Sequence, residues 1–213
     1  MKIKRSFETV FETKEAEGES SKHTIIGRPV MYDTRCDLYW FFEEIRGGAL
    51  DKTDLRDVLF FTNHDISKIP LARSRNNNAS STMRLAVDER GLAIEADIDT
   101  ERNAEAMSLY SAIERGDMSG MSFMFQVSDE EWHDLETDKP TRVITGIETI
   151  YEVSAVNFPA YEQTELGVRD TSELDSLRRA LESARAKAKL ESEPEAETKG
   201  KTLNLARAKA LAL

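Results

Sequence analysis

In this chain of 213 residues, few positions could carry hydrolytic chemistry. The stretch GDMSGMSFMF, Gly116 to Phe125, holds two serines, Ser119 and Ser122, among small and apolar neighbours. A serine hydroxyl does little at neutral pH without a base, usually histidine, and a group that orients that base. Three histidines are present. His64 lies in FTNHD, directly after an apolar run, where a strand end would hold its backbone while the ring reaches outward. His23 sits in the polar run Ser21–Thr24 and His133 in the acidic DEEWHDLE, so both read as solvated surface residues. Taken alone, His64 reads first as a hydrogen-bonded strand-end histidine with no catalytic role. The acidic partner comes from ETIYEVSAVNFPAY, where Glu148 and Glu152 are four apart and share a face of a period-two strand. Glu152, between Tyr151 and Val153, has the more apolar setting, and a buried glutamate needs a partner.

The two serines differ in setting. Ser119 falls in a turn between Met118 and Gly120, whereas Ser122 opens a strand that continues through Phe123, Met124 and Phe125. A nucleophile belongs on a rigid element with water partly excluded, which ranks Ser122 above Ser119. Gly116 and Gly120 would let backbone amides approach a substrate as oxyanion donors. The same glycines also suit a helix end followed by a strand start, and spacing alone favours that plainer reading. No serine stands in a G-x-S-x-G elbow. Three scattered histidines and one cysteine, Cys36, form no clustered ligand set, so neither metal nor cofactor is expected.

The elements that would position these groups are mainly strands. HTIIGRPVMYD reads as a strand bulged at Gly27 and Pro29, and VLFFTNHD as a short apolar strand with a polar tip. MRLAVDERGLAIEADI alternates on both sides of the turn DERG, the mark of a hairpin. TERNAEAMSLYSAIERG matches a helix starting near Thr100 and stopping at Gly116, with Ala106, Tyr110 and Ile113 on its inner face. SFMFQVSDEEW and TRVITGIETIYEVSAVNFPAY return to strands. The expected fold is α+β, a β-rich, closed or nearly closed barrel with helices outside.

Composition changes near residue 170. Aromatic residues stop at Tyr161, and from Asp170 onward there are eight acids, nine bases and no Phe, Tyr, Trp or His. The tail is thus +1 and the body carries −12 of the chain's net −11, which argues against nucleic acid as a partner. In the tail, Leu174, Leu177, Leu181, Ala184 and Ala188 recur at helical spacing, with Ser172 as candidate cap. ESEPEAETKGK reads as a hinge or disordered linker and TLNLARAKALAL as a second short helix. The expected division is a flexible N-terminal arm over 1–20, a body over 21–169 and a charged helical or disordered tail over 170–213. No apolar run approaches the roughly 20 residues of a membrane span, and the opening residues carry no secretory h-region. A lone cysteine suits a reducing cytoplasm.

An ordered series of segments then resembles the prohead (procapsid maturation) serine protease family of tailed bacteriophages, whose fold is related to the herpesvirus assemblins. IIGRPVMYD, FEEIRGGAL, LFFTNHDISKIPLAR, LAVDERGLAIEADI, IERGDMSGMSFMF and IYEVSAVNFPAY each resemble a family block and follow in the family's order over roughly residues 20 to 168. The resemblance implies an assemblin-like barrel, Ser122 as nucleophile, His64 as base and Glu152 as third member. Ser119 and Glu148 stand as the alternative nucleophile and acid. Gly120, Phe123 and Arg84 are candidate oxyanion donors. Met124 stands where the family usually has glycine, and RSRNNNASST lengthens the spacing between His64 and the serine.

The resemblance further implies an endopeptidase that cuts scaffold segments of the major capsid protein, and its own tail, inside the assembling procapsid in the host cytoplasm. Copies of the chain would associate there as dimers or higher oligomers. The competing reading is a catalytically silent capsid-assembly scaffold or chaperone that keeps this fold and acts through its tail.

Overall fold

The computed structural model describes residues 2–9, 11–15, 22–157 and 171–192. Eleven strands and two helices form along these residues. In chain order the strands are β1 (Lys2–Glu8), β2 (Glu12–Glu15), β3 (Lys22–Met31), β4 (Cys36–Asp37), β5 (Phe42–Ile45), β6 (Asp57–Thr62), β7 (Ala72–Arg75), β8 (Met83–Asp88) and β9 (Gly91–Asp99). Helix α1 (Ala104–Glu114), β10 (Gly120–His133), β11 (Thr141–Val156) and α2 (Thr171–Ser192) follow. The fold is α+β.

The spine is the long β10–β11 hairpin. β1 pairs antiparallel along the free side of β10, while β5 and β6 pair parallel with separate stretches of β11. β4 extends β5 and β7 extends β6, giving seven strands. A second sheet runs β2-β3-β9-β8. The closed barrel expected from sequence is not formed among the described residues: β1 ends the main path on one side and β4 on the other. Alternating apolar positions account equally well for a barrel and for two facing sheets, so the pattern alone could not separate them.

One apolar core lies between the sheets. Ile25, Met83, Leu92, Ile94 and Ile98 of the smaller sheet meet Phe60, Phe123, Phe125, Ile150 and Val153 of the larger, and α1 adds Ala106, Leu109, Tyr110 and Ile113. Each Ile, Leu, Met, Phe or Val among them contributes about 1.5–3 kcal/mol on full burial. Because Met121, Phe123 and Phe125 point into this core, Ser122 is directed to the opposite face of the sheet. Gly91 opens β9 just after the β8–β9 turn, where its φ is +127° and a side chain would collide with the Val30 carbonyl.

Several local expectations change. α1 is capped by Asn103, whose side chain accepts from the amides of Glu105 and Ala106, so it begins later than Thr100. Residues assigned to a flexible arm include β1 and β2, both paired into sheets. His23 is half-buried rather than solvated: its Nδ1 lies 2.7 Å from Thr100 Oγ1 and its ring 4.4 Å from Tyr110. In the tail, α2 seats Leu177 and Leu181 on Phe41, with Leu38, Trp40, Trp132 and Leu135 around them. The linker ESEPEAETKGK has its first two residues in α2; the rest of it, the last helix candidate and the composition boundary near residue 170 lie outside the described residues.

Candidate active site

Ser122 is the third residue of β10, in register with Ser6 of β1 on one side and Ser154 of β11 on the other. Two residues along, Met124 is opposite Glu152. β6 runs parallel to this part of β11, pairing Glu152 to Ala155 with Leu59 to Thr62. It therefore delivers its last residues to the edge where Glu152 and Ser154 emerge.

The chain leaves β6 through two consecutive left-handed residues, Asn63 (φ 51°) and His64 (φ 58°). Such conformations cost about 1–3 kcal/mol each for a non-glycine residue and persist only when the surroundings fix them. Here the Asn63 amide donates to the Ala155 carbonyl at 2.8 Å, the Asn63 side chain accepts from the Asn157 amide at 3.2 Å, and the His64 amide donates to Ser154 Oγ at 3.2 Å. The turn aims the His64 ring back across β11.

His64 Nδ1 lies 2.6 Å from Glu152 Oε1, and His64 Nε2 lies 2.5 Å from Ser122 Oγ. Ser154 Oγ donates to the second Glu152 oxygen at 2.6 Å. Ser122 is 0% exposed, Glu152 2%, and the His64 side chain 13%. A carboxylate bound to Nδ1 holds that nitrogen protonated and leaves Nε2 as the acceptor facing the hydroxyl. A buried line of hydroxyl, imidazole and carboxylate is the arrangement needed to activate a serine oxygen for attack on a carbonyl. Ser122 Oγ also lies 2.9 Å from the Arg5 carbonyl of β1, to which it can donate.

The remaining sequence candidates lie elsewhere. Ser119 precedes β10, and its carbonyl accepts from the Thr9 amide. Glu148 is exposed and bonds Gln126. Register shifts between Met124 and Val127 interrupt the strict alternation that would have matched it with Glu152. Arg84 sits on β8 of the other sheet, engaged by Asp97 at 2.8 Å and by Glu95, and is not at this site. Gly120 and Phe123 lie in a stretch of β10 paired on both sides, and the Phe123 ring stacks on Phe125 in the core. His133 is exposed, 3.6 Å from Glu131. Cys36 is buried.

Sequence reasoning overlooked two contributors. Ser154 was legible, two residues after Glu152 on the same strand face. Arg5 was not, because nothing local in KIKRSFE indicates that it pairs beside the serine.

The model of the caudovirus prohead serine protease family matches residues 9–177. The chain belongs to that family. The prohead protease of Enterobacteria phage HK97 is 28% identical over 122 residues, covering 57% of this chain and 48% of that protein. The aligned stretch thus spans about half the relative's length. No solved structure matches the chain. His64, Ser122 and Glu152 all fall within the family match, whereas β1 precedes it.

Proposed function

We propose that the chain is a serine endopeptidase of procapsid maturation, using Ser122 as nucleophile, His64 as general base and acid, and Glu152 to orient and stabilise the imidazole. The contact of both His64 nitrogens, one with Ser122 and one with Glu152, carries this reading. His64 Nε2 takes the hydroxyl proton as Ser122 Oγ bonds to the scissile carbonyl carbon. The same proton then passes to the departing amine as the C–N bond breaks. Water attacks the resulting acyl-serine, gives a proton to Nε2, and releases the carboxylate product as Ser122 regains its hydrogen. Glu152 stays ionised and balances the transient imidazolium. Amides of β10 between Gly120 and Phe123, on the side that β1 covers, are the nearest backbone candidates for the oxyanion.

Family membership and the relative's description as a prohead protease support scaffold segments of the major capsid protein, and the chain's own tail over 170–213, as substrates. Action would be inside the assembling procapsid, where copies of the chain would meet. The full burial of Ser122 favours the competing reading, a silent assembly scaffold. Coexpression with the cognate capsid protein separates the two. Cleavage should disappear in Ser122→Ala, persist in Ser119→Ala and fall steeply in Glu152→Gln. Capsid protein processed normally by Ser122→Ala would refute the protease reading.

A further inference from the structure

The nucleophile is covered by the chain's own first strand. β1 lies along the one edge of β10 that β11 leaves free, which is also where an extended peptide would add to the sheet. It presents a main-chain carbonyl, that of Arg5, 2.9 Å from Ser122 Oγ. A hydroxyl has one proton, so Ser122 can donate to Arg5 or to His64 but not to both. With β1 in place, the alternate β10 amides that face it are also occupied by the ladder rather than open to an oxyanion.

The Arg5 side chain is equally committed. It is 4% exposed and forks onto Glu43, which is 1% exposed, with Nη2 3.0 Å from Oε2 and Nε on Oε1. Glu43 also accepts from Arg142 at 2.9 Å, and Arg142 in turn holds Glu130. Counted together, Arg5, Arg142, Glu43 and Glu130 are neutral. Without Arg5, buried Glu43 keeps only Arg142, which it shares with the more exposed Glu130, so two carboxylates are left on one guanidinium and Glu43 loses its forked partner.

We propose that β1 occupies the substrate's place as an internal stand-in, and that Glu43 makes the site select peptides with a basic side chain where Arg5 now lies. This rests on the protease reading above. A substrate strand exchanges with β1, its Arg or Lys restores the neutral cluster, and its carbonyl takes the position of the Arg5 carbonyl at Ser122. Neutral or acidic residues at that position leave Glu43 with only the Arg142 that it shares with Glu130. β1 lies before the family match, so the stand-in is a feature of this chain beyond the matched segment.

The test uses the full chain. A fluorophosphonate probe measures access to Ser122, and melting curves check folding of each variant. Arg5→Glu, which sets like charges against Glu43, should be labelled about tenfold faster than wild type, as when a competent fraction rises from under one in ten. Arg5→Lys should stay near the wild-type rate. A mixed peptide pool offered to wild type should be cut after Arg or Lys. Equal labelling of folded wild type and Arg5→Glu overturns the stand-in, and cuts without basic preference overturn the selection by Glu43. If Arg5→Glu does not fold, the pool on wild type decides alone. Absence of labelling and of cutting in every folded variant would instead overturn the protease reading itself.

Discussion

In the proposed mechanism, the position of one proton on His64 decides whether Ser122 can be activated. Glu152 has one oxygen on His64 Nδ1 and the other on Ser154 Oγ, so its carboxylate is fixed at both ends. In Glu152→Gln the amide can present N–H to Nδ1, which moves the ring proton to Nε2 and removes the acceptor Ser122 needs. The expected loss in kcat is about 10⁴-fold, with KM little changed, as for the corresponding carboxylate-to-amide change in a serine triad. Ser154→Ala leaves the tautomer intact but frees one carboxylate oxygen and the His64 amide, so a loss of about tenfold is expected, the scale of about 1.4 kcal/mol for the two lost hydrogen bonds together. Steady-state kinetics on a peptide substrate checks both. A Ser154→Ala loss as large as that of Glu152→Gln would mean that Ser154 does more than hold the carboxylate. The apolar flanks of Glu152 made it legible in sequence, because a glutamate there must find a partner. The Arg5 carbonyl was illegible, because main-chain groups carry no residue signature and their neighbours are set by strand pairing alone.

Among the elements, the hairpin and helix signals were readable where period and turn chemistry agreed. β8 and β9 flank the turn at Glu89 and Arg90 as the alternation implied, and α1 buries the anticipated Ala106, Tyr110 and Ile113. What failed was the partnering of elements: whether β1 is an arm or a sheet strand, and whether the sheets close. Such choices depend on contacts distant in sequence, which local patterns do not encode. α2 was an open case, since its Leu177 and Leu181 stripe required some surface. It finds one at Phe41, beside both tryptophans of the chain, Trp40 and Trp132. Arg185 ties the helix down further by donating to the carbonyls of Leu135 and Thr137 at 3.1 and 2.7 Å. Leu181→Asp places a charge against this apolar seat and should detach α2 while the sheets remain folded. Tryptophan emission should shift to the red with little change in strand circular dichroism. An unshifted spectrum would show that the helix does not rest on that surface in solution.

Across the whole molecule, the buried charge cluster links parts of the large sheet that a flat sheet would keep apart. Arg5 is in register with Phe123, whereas Glu43 is in register with Arg142, itself opposite Trp132. Phe123 and Trp132 would be roughly 30 Å apart along a straight strand, so the β10–β11 hairpin must curl for Arg5 and Glu43 to meet. The register shifts between Met124 and Glu130 lie in the stretch that bends. Burial alone would raise the Glu43 pKa, but Arg5 and Arg142 outweigh it and hold the carboxyl below its ordinary value near 4.5. A depressed folded-state pKa means that the stabilisation is fully present above the unfolded value and is lost as pH falls through the folded one. Exposed carboxylates act in the same direction: Asp54 and Asp88 are lowered to about 2, mainly by bonds to Arg56 and Arg28. The melting temperature should therefore fall as pH drops below about 4.5. Glu43→Gln isolates the buried contribution. At neutral pH it leaves two guanidiniums facing a neutral amide, a destabilisation of about 3–5 kcal/mol for a broken buried pair. In acid, wild-type Glu43 loses its own charge, so the gap between the two melting curves should narrow steadily from pH 5 toward pH 2. Melting curves for both proteins over that range test this. A gap that stays constant would mean that Arg5 and Arg142 do not depend on the Glu43 charge, and that something other than this cluster keeps the hairpin curled.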